Sequence, residues 1–181
     1  MLDWKFRILL FTWNTDTLRF GTDKFQILRH GKNSLEVDLR FQTVEDGLEY
    51  ISTLNDFYEI CVFVRGESLQ LSTTSELKHG LVEGFNLVGE EKYWLAHELF
   101  EDYWKHFQNH RSKFFHGVVL LCVSMVHFQM DHKSNAMRLF GEAKKELAQF
   151  VEGIEICQFS YPLENNIFEK IRDRSIRMIQ D

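Results

Sequence analysis

The chain reads as an α+β protein. A small β-rich α/β unit over 1–82, in the order β-β-β-α-β, is followed by an antiparallel bundle of three to four helices over 84–181. Three observations predict this. Leu35 to Gln42 alternates apolar and polar residues without a fault, the pattern of a strand with one face on a core and the other in water. Thr43 then shifts the apolar period to the helical one, and Tyr58–Val64 returns to an apolar strand run. From about residue 84 the apolar spacing is helical.

Taken in order, Arg7–Trp13 is a short apolar run that fits a central strand, and Asn14-Thr15-Asp16 is an Asx-rich turn. Lys24–Leu28 predicts a second strand, closed by His30-Gly31-Lys32-Asn33, and Leu35–Gln42 the third. Thr43-Val44-Glu45-Asp46 resembles a capping box with Asp in place of Glu, and Val44, Leu48, Ile51 and Leu54 mark one face of the helix that follows. That crossover helix makes the third and fourth strands parallel if they share a sheet. Between 67 and 82 two readings stay open, a short edge strand at Leu69-Gln70-Leu71 and a helix start at Ser75-Glu76-Leu77. The helices expected beyond are Glu90–Phe107, Arg111 or Ser112 to Met130, Ser134–Phe150, and one opened by Pro162 and carrying Ile167, Ile171 and Ile176. Short connections make them antiparallel neighbours.

Composition narrows the function. Seventeen Phe residues predict an aromatic core, and the single proline, Pro162, rules out a Pro-rich linker. A net charge of −6 argues against nucleic acid as a partner, so the basic strip from Lys105 to Lys113 reads as a solvated loop between helices. Cys61, Cys122 and Cys157 lie far apart among apolar neighbours, the usage of reduced buried thiols in a cytoplasmic protein. Met1–Lys5 carries no leader pattern, and the longest apolar stretch, Gly117–Met130, is too short to span a bilayer; no membrane association is expected. No Gly-rich phosphate loop motif occurs. Ser124 with His127 lacks an acid partner, and Cys122 near His127 reads as an inert thiol.

The most informative segment is Tyr93-Trp94-Leu95-Ala96-His97-Glu98-Leu99-Phe100-Glu101-Asp102-Tyr103-Trp104, which sets polar groups on a helix whose apolar residues must be buried. Tyr93, His97, Glu98, Glu101 and Trp104 form a Tyr-x-x-x-His-Glu-x-x-Glu-x-x-Trp pattern. Phe114-Phe115-His116-Gly117-Val118-Val119-Leu120, then His127, follow on the next helix. Over about Phe85 to Leu147 the chain resembles the domain of unknown function 309 family. His116 and Leu120 stand where that family has Gln, and Asp131-His132 where it has a Gly-Asn turn. The resemblance implies a helical fold and candidate positions, and no activity.

His97 and Glu101 share a helix face that Trp104 continues, and Glu98 lies about 100° away. Folding the next helix back near Asn109 brings His116 level with Glu101 and leaves His127 about 9 Å along the axis from His97. The spacing therefore assigns a candidate polar cluster of His97, Glu98, Glu101, His116 and His127, with His127 pairing near Glu91 or Tyr93. Three readings compete. In the first, the stripe locks helices together by internal hydrogen bonds. In the second, Tyr93, Trp94, Trp104 and Phe115 line a pocket for a small-molecule or protein partner. In the third, His97, Glu101 and His116 hold a divalent metal for hydrolysis. Position 101 lacks the second His of a zinc-protease helix. We therefore expect a non-enzymatic binding module with no cofactor, oligomeric through its aromatic surface, and keep the metal-dependent hydrolase as the alternative.

Overall fold

Strand β1 (Phe6–Thr12) takes the centre of a sheet, between β3 (Leu35–Phe41) and β4 (Glu59–Val64), with β2 (Phe25–His30) beyond β3. The structure, a computed structural model, describes residues 6–12, 25–32, 34–53, 59–64, 74–162 and 165–180. Trp13, the Asn14–Asp16 turn, Lys24, Leu54, Tyr58, Arg65-Gly66 and the Leu69–Leu71 segment fall outside them. The chain forms two compact units, Met1–Ser68 and Leu69–Asp181.

All neighbouring strands in the first unit run antiparallel. Because β3 and β4 both oppose β1, they are parallel to each other, as the intervening helix requires. On one face Ile8, Leu10, Leu35, Val37, Leu39 and Phe41 make the core, covered by Tyr50 and Ile51 of α1 (Val44–Ser52). Thr43 caps α1, its Oγ1 accepting from the Asp46 amide at 3.1 Å. The helix packs on β1 and β3, and its buried residue is Gly47. Of the Val44–Leu48–Ile51 stripe only Ile51 reaches the core; Val44 and Leu48 are 36% and 55% exposed.

The second face of β3 corrects the expectation of a wet side. Glu36 and Asp38 are buried, at 3% and 0% exposure. Arg7 reaches Asp38 from β1 and Arg29 reaches both acids from β2, with Arg29 Nη2 3.2 Å from Asp38 Oδ2. Register explains the pairing: Arg29 lies directly opposite Glu36, and Arg7 is two residues along β1 from Leu9, the cross-strand partner of Asp38, and so on the same face. The perfect alternation of β3 separates an apolar from a charged face, and the charged one is buried because each carboxylate has a guanidinium.

The second unit contains α2 (Thr74–Gly89), α3 (Tyr93–His106), α4 (Asn109–Gln129), α5 (Lys133–Leu147), a 3-10 turn at Ile154–Ile156 and α6 (Asn165–Gln180). Helix α2 begins well before residue 84, so the described part of the bundle has five α-helices rather than three to four, and residues 74–82 belong to it. Leu77 and Leu81 are core residues there. Pro162 does not open the last helix; it follows an extended stretch through a cis Tyr161–Pro162 bond, and α6 starts at Asn165. The strip Lys105–Lys113 is mostly the end of α3 and the start of α4.

Helix α4 is buried on most sides, which accounts for its near-continuous apolar run. Its Ser124 Oγ donates to the Ala136 carbonyl of α5 at 2.7 Å, and Gly117 faces Leu147 so closely that a Cβ would lie 2.7 Å from Leu147 Cγ. On the other side the Tyr103 hydroxyl of α3 donates to the Leu77 carbonyl of α2. Helices α2 and α4 end alike: Glu91 and Asp131 take left-handed φ of 60° and 59°, and the next amides, of Lys92 and His132, bond back to Leu87 and His127 carbonyls at 2.9 and 2.8 Å. Among the described residues no helix is long and apolar enough to cross a membrane.

Candidate functional site

Helix α3 turns Tyr93, Ala96, Leu99, Phe100 and Tyr103 inward at helical spacing. The His-Glu residues fall on its flank. His97 is 14% exposed; its ring lies against Trp94, centroids 5.1 Å apart, and its Nδ1 is 3.7 Å from Glu98 Oε1. Glu101 turns along the helix to Lys105, 3.2 Å away. His116 rests on Trp104 with centroids 4.7 Å apart. The two histidines thus sit on two different tryptophans, and Glu101 pairs with its own helix. Among the described residues no group of three or more His, Cys, Asp or Glu side chains is placed to hold a metal ion. In these contacts His97, Glu101 and His116 have different neighbours, since a shared helix face does not decide which neighbour a long side chain selects.

The aromatic residues assigned to one pocket also separate. Phe115 is in the core, stacked on Phe107 at 5.4 Å and against Tyr103 at 5.1 Å. Tyr93 is buried between Tyr161 and Phe168 and lines a small cavity of about 270 Å³ with Phe85, Glu91 and Arg172. Burial pushes the Tyr93 phenol far above its ordinary range, with Tyr161 and Glu91 adding to the effect, so it serves there as an un-ionised ring.

His127 does not pair near Glu91. Its ring lies 5.7 Å from that of His132 across the α4–α5 turn, and burial, then the charges of His132 and Arg138, hold its pKa below the ordinary value. Gln129, two residues on, takes the place predicted for it. Its Nε2 donates to the Glu91 carbonyl at 2.8 Å and to Tyr161 Oη at 3.0 Å, while the Tyr161 hydroxyl donates to Glu91 Oε2 at 3.0 Å. The partners of Gln129 are 38 and 32 residues away, so local spacing carries no sign of them. The only sequence signal is a polar residue inside an apolar run.

A larger cavity lies elsewhere, between α5 and the chain around the 3-10 turn. It is an open groove of about 750 Å³ lined by Met137, Phe140, Gly141, Lys144, Cys157 and Phe159 among others. Lys144, half-buried, donates from Nζ to the Cys157 carbonyl at 2.6 Å and lies 5.6 Å from the Phe140 ring centroid. Cys122 and Cys157 are buried free thiols, and desolvation pushes the Cys122 thiol far up, which removes it as a nucleophile. Sequence reasoning missed the groove because one wall, the segment 154–159, is mostly irregular and carries no apolar period, so nothing in the sequence places it against α5.

No curated protein and no solved structure matches the chain. One family model does, over a segment that holds the end of α2, all of α3 and α4, and the first half of α5, but of the groove's lining only Met137. Residues 81–139, with the His97-Glu98…Glu101…Trp104 helix inside them, match the family described as Domain of unknown function (DUF309), a description that assigns no activity.

Proposed function

We propose that the chain is a non-enzymatic binding module whose helical unit takes an apolar ligand in the α5 groove, while the His-Glu stripe of α3 serves the fold. The groove carries this reading: about 750 Å³ is within the size of small-molecule sites, and Met137, Phe140 and Phe159 give it the apolar walls such sites have. The contacts around α3 support the structural half, since His97 and Glu101 lie against neighbours on their own helix and His116 of α4 rests on Trp104 of α3. The buried thiols Cys122 and Cys157 fit a reducing, cytoplasmic setting.

Screening the full chain against a library of small aromatic and aliphatic fragments by NMR tests this. Shifts are expected at α5 and at residues 154–159, and their disappearance in Gly141→Phe. Hits that map instead to Trp94, His97 and His116 would overturn the reading.

A further inference from the structure

We infer that the groove's ligand is an anionic amphiphile: an elongated apolar body ending in a carboxylate or similar anion, its head group held by Lys144. This rests on the groove being a binding site and adds the class of ligand. Three observations lead to it.

The first is an unbalanced charge. Lys144 is half-buried against Phe140, yet makes no ion pair among the described residues, and Glu155, the acid at the exposed rim, makes none either. One of its three N–H donors goes to the Cys157 carbonyl, a neutral acceptor. Drawing an ammonium out of water beside apolar surface is costly without a counter-charge. A lysine in the last turn of a helix is favoured by the helix dipole, and Lys145 beside it, exposed, meets that need from solvent. The dipole accounts for a cation at this end of α5 but not for one folded into the groove. An anion entering there gains a charge-assisted hydrogen bond from donors already in place.

The second is Gly141. A glycine inside a helix costs about 0.5–1 kcal/mol relative to alanine. Gly117 on α4 has a reason to be glycine, since Leu147 fills the space a Cβ would need. Gly141 has none within the protein: its φ is ordinary, and a Cβ there would meet nothing within 4 Å. It forms part of the groove floor, beside Phe140 and one turn before Lys144. The bare backbone leaves open the place where an apolar body would lie.

The third is length. The lining runs from Met137 along α5 to Ala148 at its C-cap, eleven residue steps or about 16 Å, a span suited to a medium-length acyl chain. Met137 is 54% exposed at the far end, an apolar wall in water.

The test compares decanoate with decan-1-ol by calorimetry on the full chain at pH 7.5, in wild type, Lys144→Met and Gly141→Phe. Decanoate is expected to bind at least tenfold more tightly than the alcohol. Lys144→Met should bring the two to the same affinity without weakening the alcohol, and Gly141→Phe should abolish both. Equal affinities in wild type would overturn the anionic class, as would decanoate binding that Lys144→Met leaves unchanged; neither needs the variant protein to be more than folded, and the first needs no variant. Fragments that bind the groove while decanoate does not would overturn the ligand class and leave the binding module standing. No binding of fragments, alcohol or decanoate would remove both.

Discussion

Arg7 holds Asp38 through two parallel hydrogen bonds, Nε to Oδ1 at 2.8 Å and Nη2 to Oδ2 at 2.6 Å, with both side chains buried. The same carboxylate also receives Arg29, so one acid serves guanidinium groups from both flanking strands. Removing it would leave two buried cations short of a partner. Asp38→Ala should therefore destabilise the sheet unit by about 3–5 kcal/mol. Leu48→Ala, on the exposed face of α1, should change it by no more than about 0.5 kcal/mol. Urea unfolding followed by amide exchange in β1 and β3 separates the two, and similar values for both would show that the ion pairs do not hold the sheet.

Two helical glycines of the bundle should respond to alanine with opposite sign. At Gly117 the new Cβ would press on Leu147 Cγ at 2.7 Å and Glu146 Cβ at 3.0 Å, forcing α4 and α5 apart at about 1–3 kcal/mol. At Gly141 the Cβ meets nothing, and alanine should raise stability by about 0.5–1 kcal/mol. Thermal melting of the two variants decides this, and a stabilised Gly117→Ala would contradict the close α4–α5 approach.

The elements that sequence foretold are those whose signal is local. The alternation of Leu35–Gln42, the cap at Thr43 and the apolar run of α4 each carry their cause within a few residues, and each element is present. Alternation alone does not say whether the polar face meets water or arginines from neighbouring strands, so the burial of Glu36 and Asp38 stayed out of reach. The start of α2 at Thr74 fits the helix reading left open at Ser75-Glu76-Leu77; the period alone did not choose it because the buried positions, Leu77, Leu81 and Val88, are sparse among polar residues. At the α3 stripe, face and level were legible, but the choice of neighbour was not: His116 meets Trp104, and Glu101 turns to Lys105.

That difference in neighbours sets the cost of removing each. Glu101 and Lys105 are 29% and 61% exposed, a partly solvated pair four residues apart, so Glu101→Ala should cost about 0.5 kcal/mol or less. His97→Ala gives up ring packing on Trp94 at a mostly buried position and should cost about 1 kcal/mol. Chemical denaturation of the two variants checks the ranking. A loss above about 2 kcal/mol for Glu101→Ala would mean that its carboxylate supports more than its own helix.

Asp131 has a φ of 59°, the left-handed conformation at the end of α4 that favours Gly. A side chain there is strained by about 1 kcal/mol or more, and its contact with Lys133 at 3.2 Å lies between groups 84% and 70% exposed, too solvated to compensate. Asp131→Gly should raise stability by about 1 kcal/mol and Asp131→Val should lower it. Melting temperatures that move the other way would place the strain elsewhere in the turn.

His127 should make the bundle sensitive to mild acid. Burial in the last turn of α4, with His132 and Arg138 nearby, lowers its pKa in the folded chain from the ordinary 6.5. Between that lowered value and 6.5 the unfolded chain binds a proton that the folded chain does not, so stability increases with pH across this window. The contribution is fully present above 6.5 and is lost as pH falls toward the folded pKa. Melting the wild type and His127→Gln at pH 7.5 and 5.5 isolates it. The wild type should lose more on acidification than the variant, because Gln cannot take up the proton that favours unfolding. An equal loss in both proteins would assign the sensitivity to other groups.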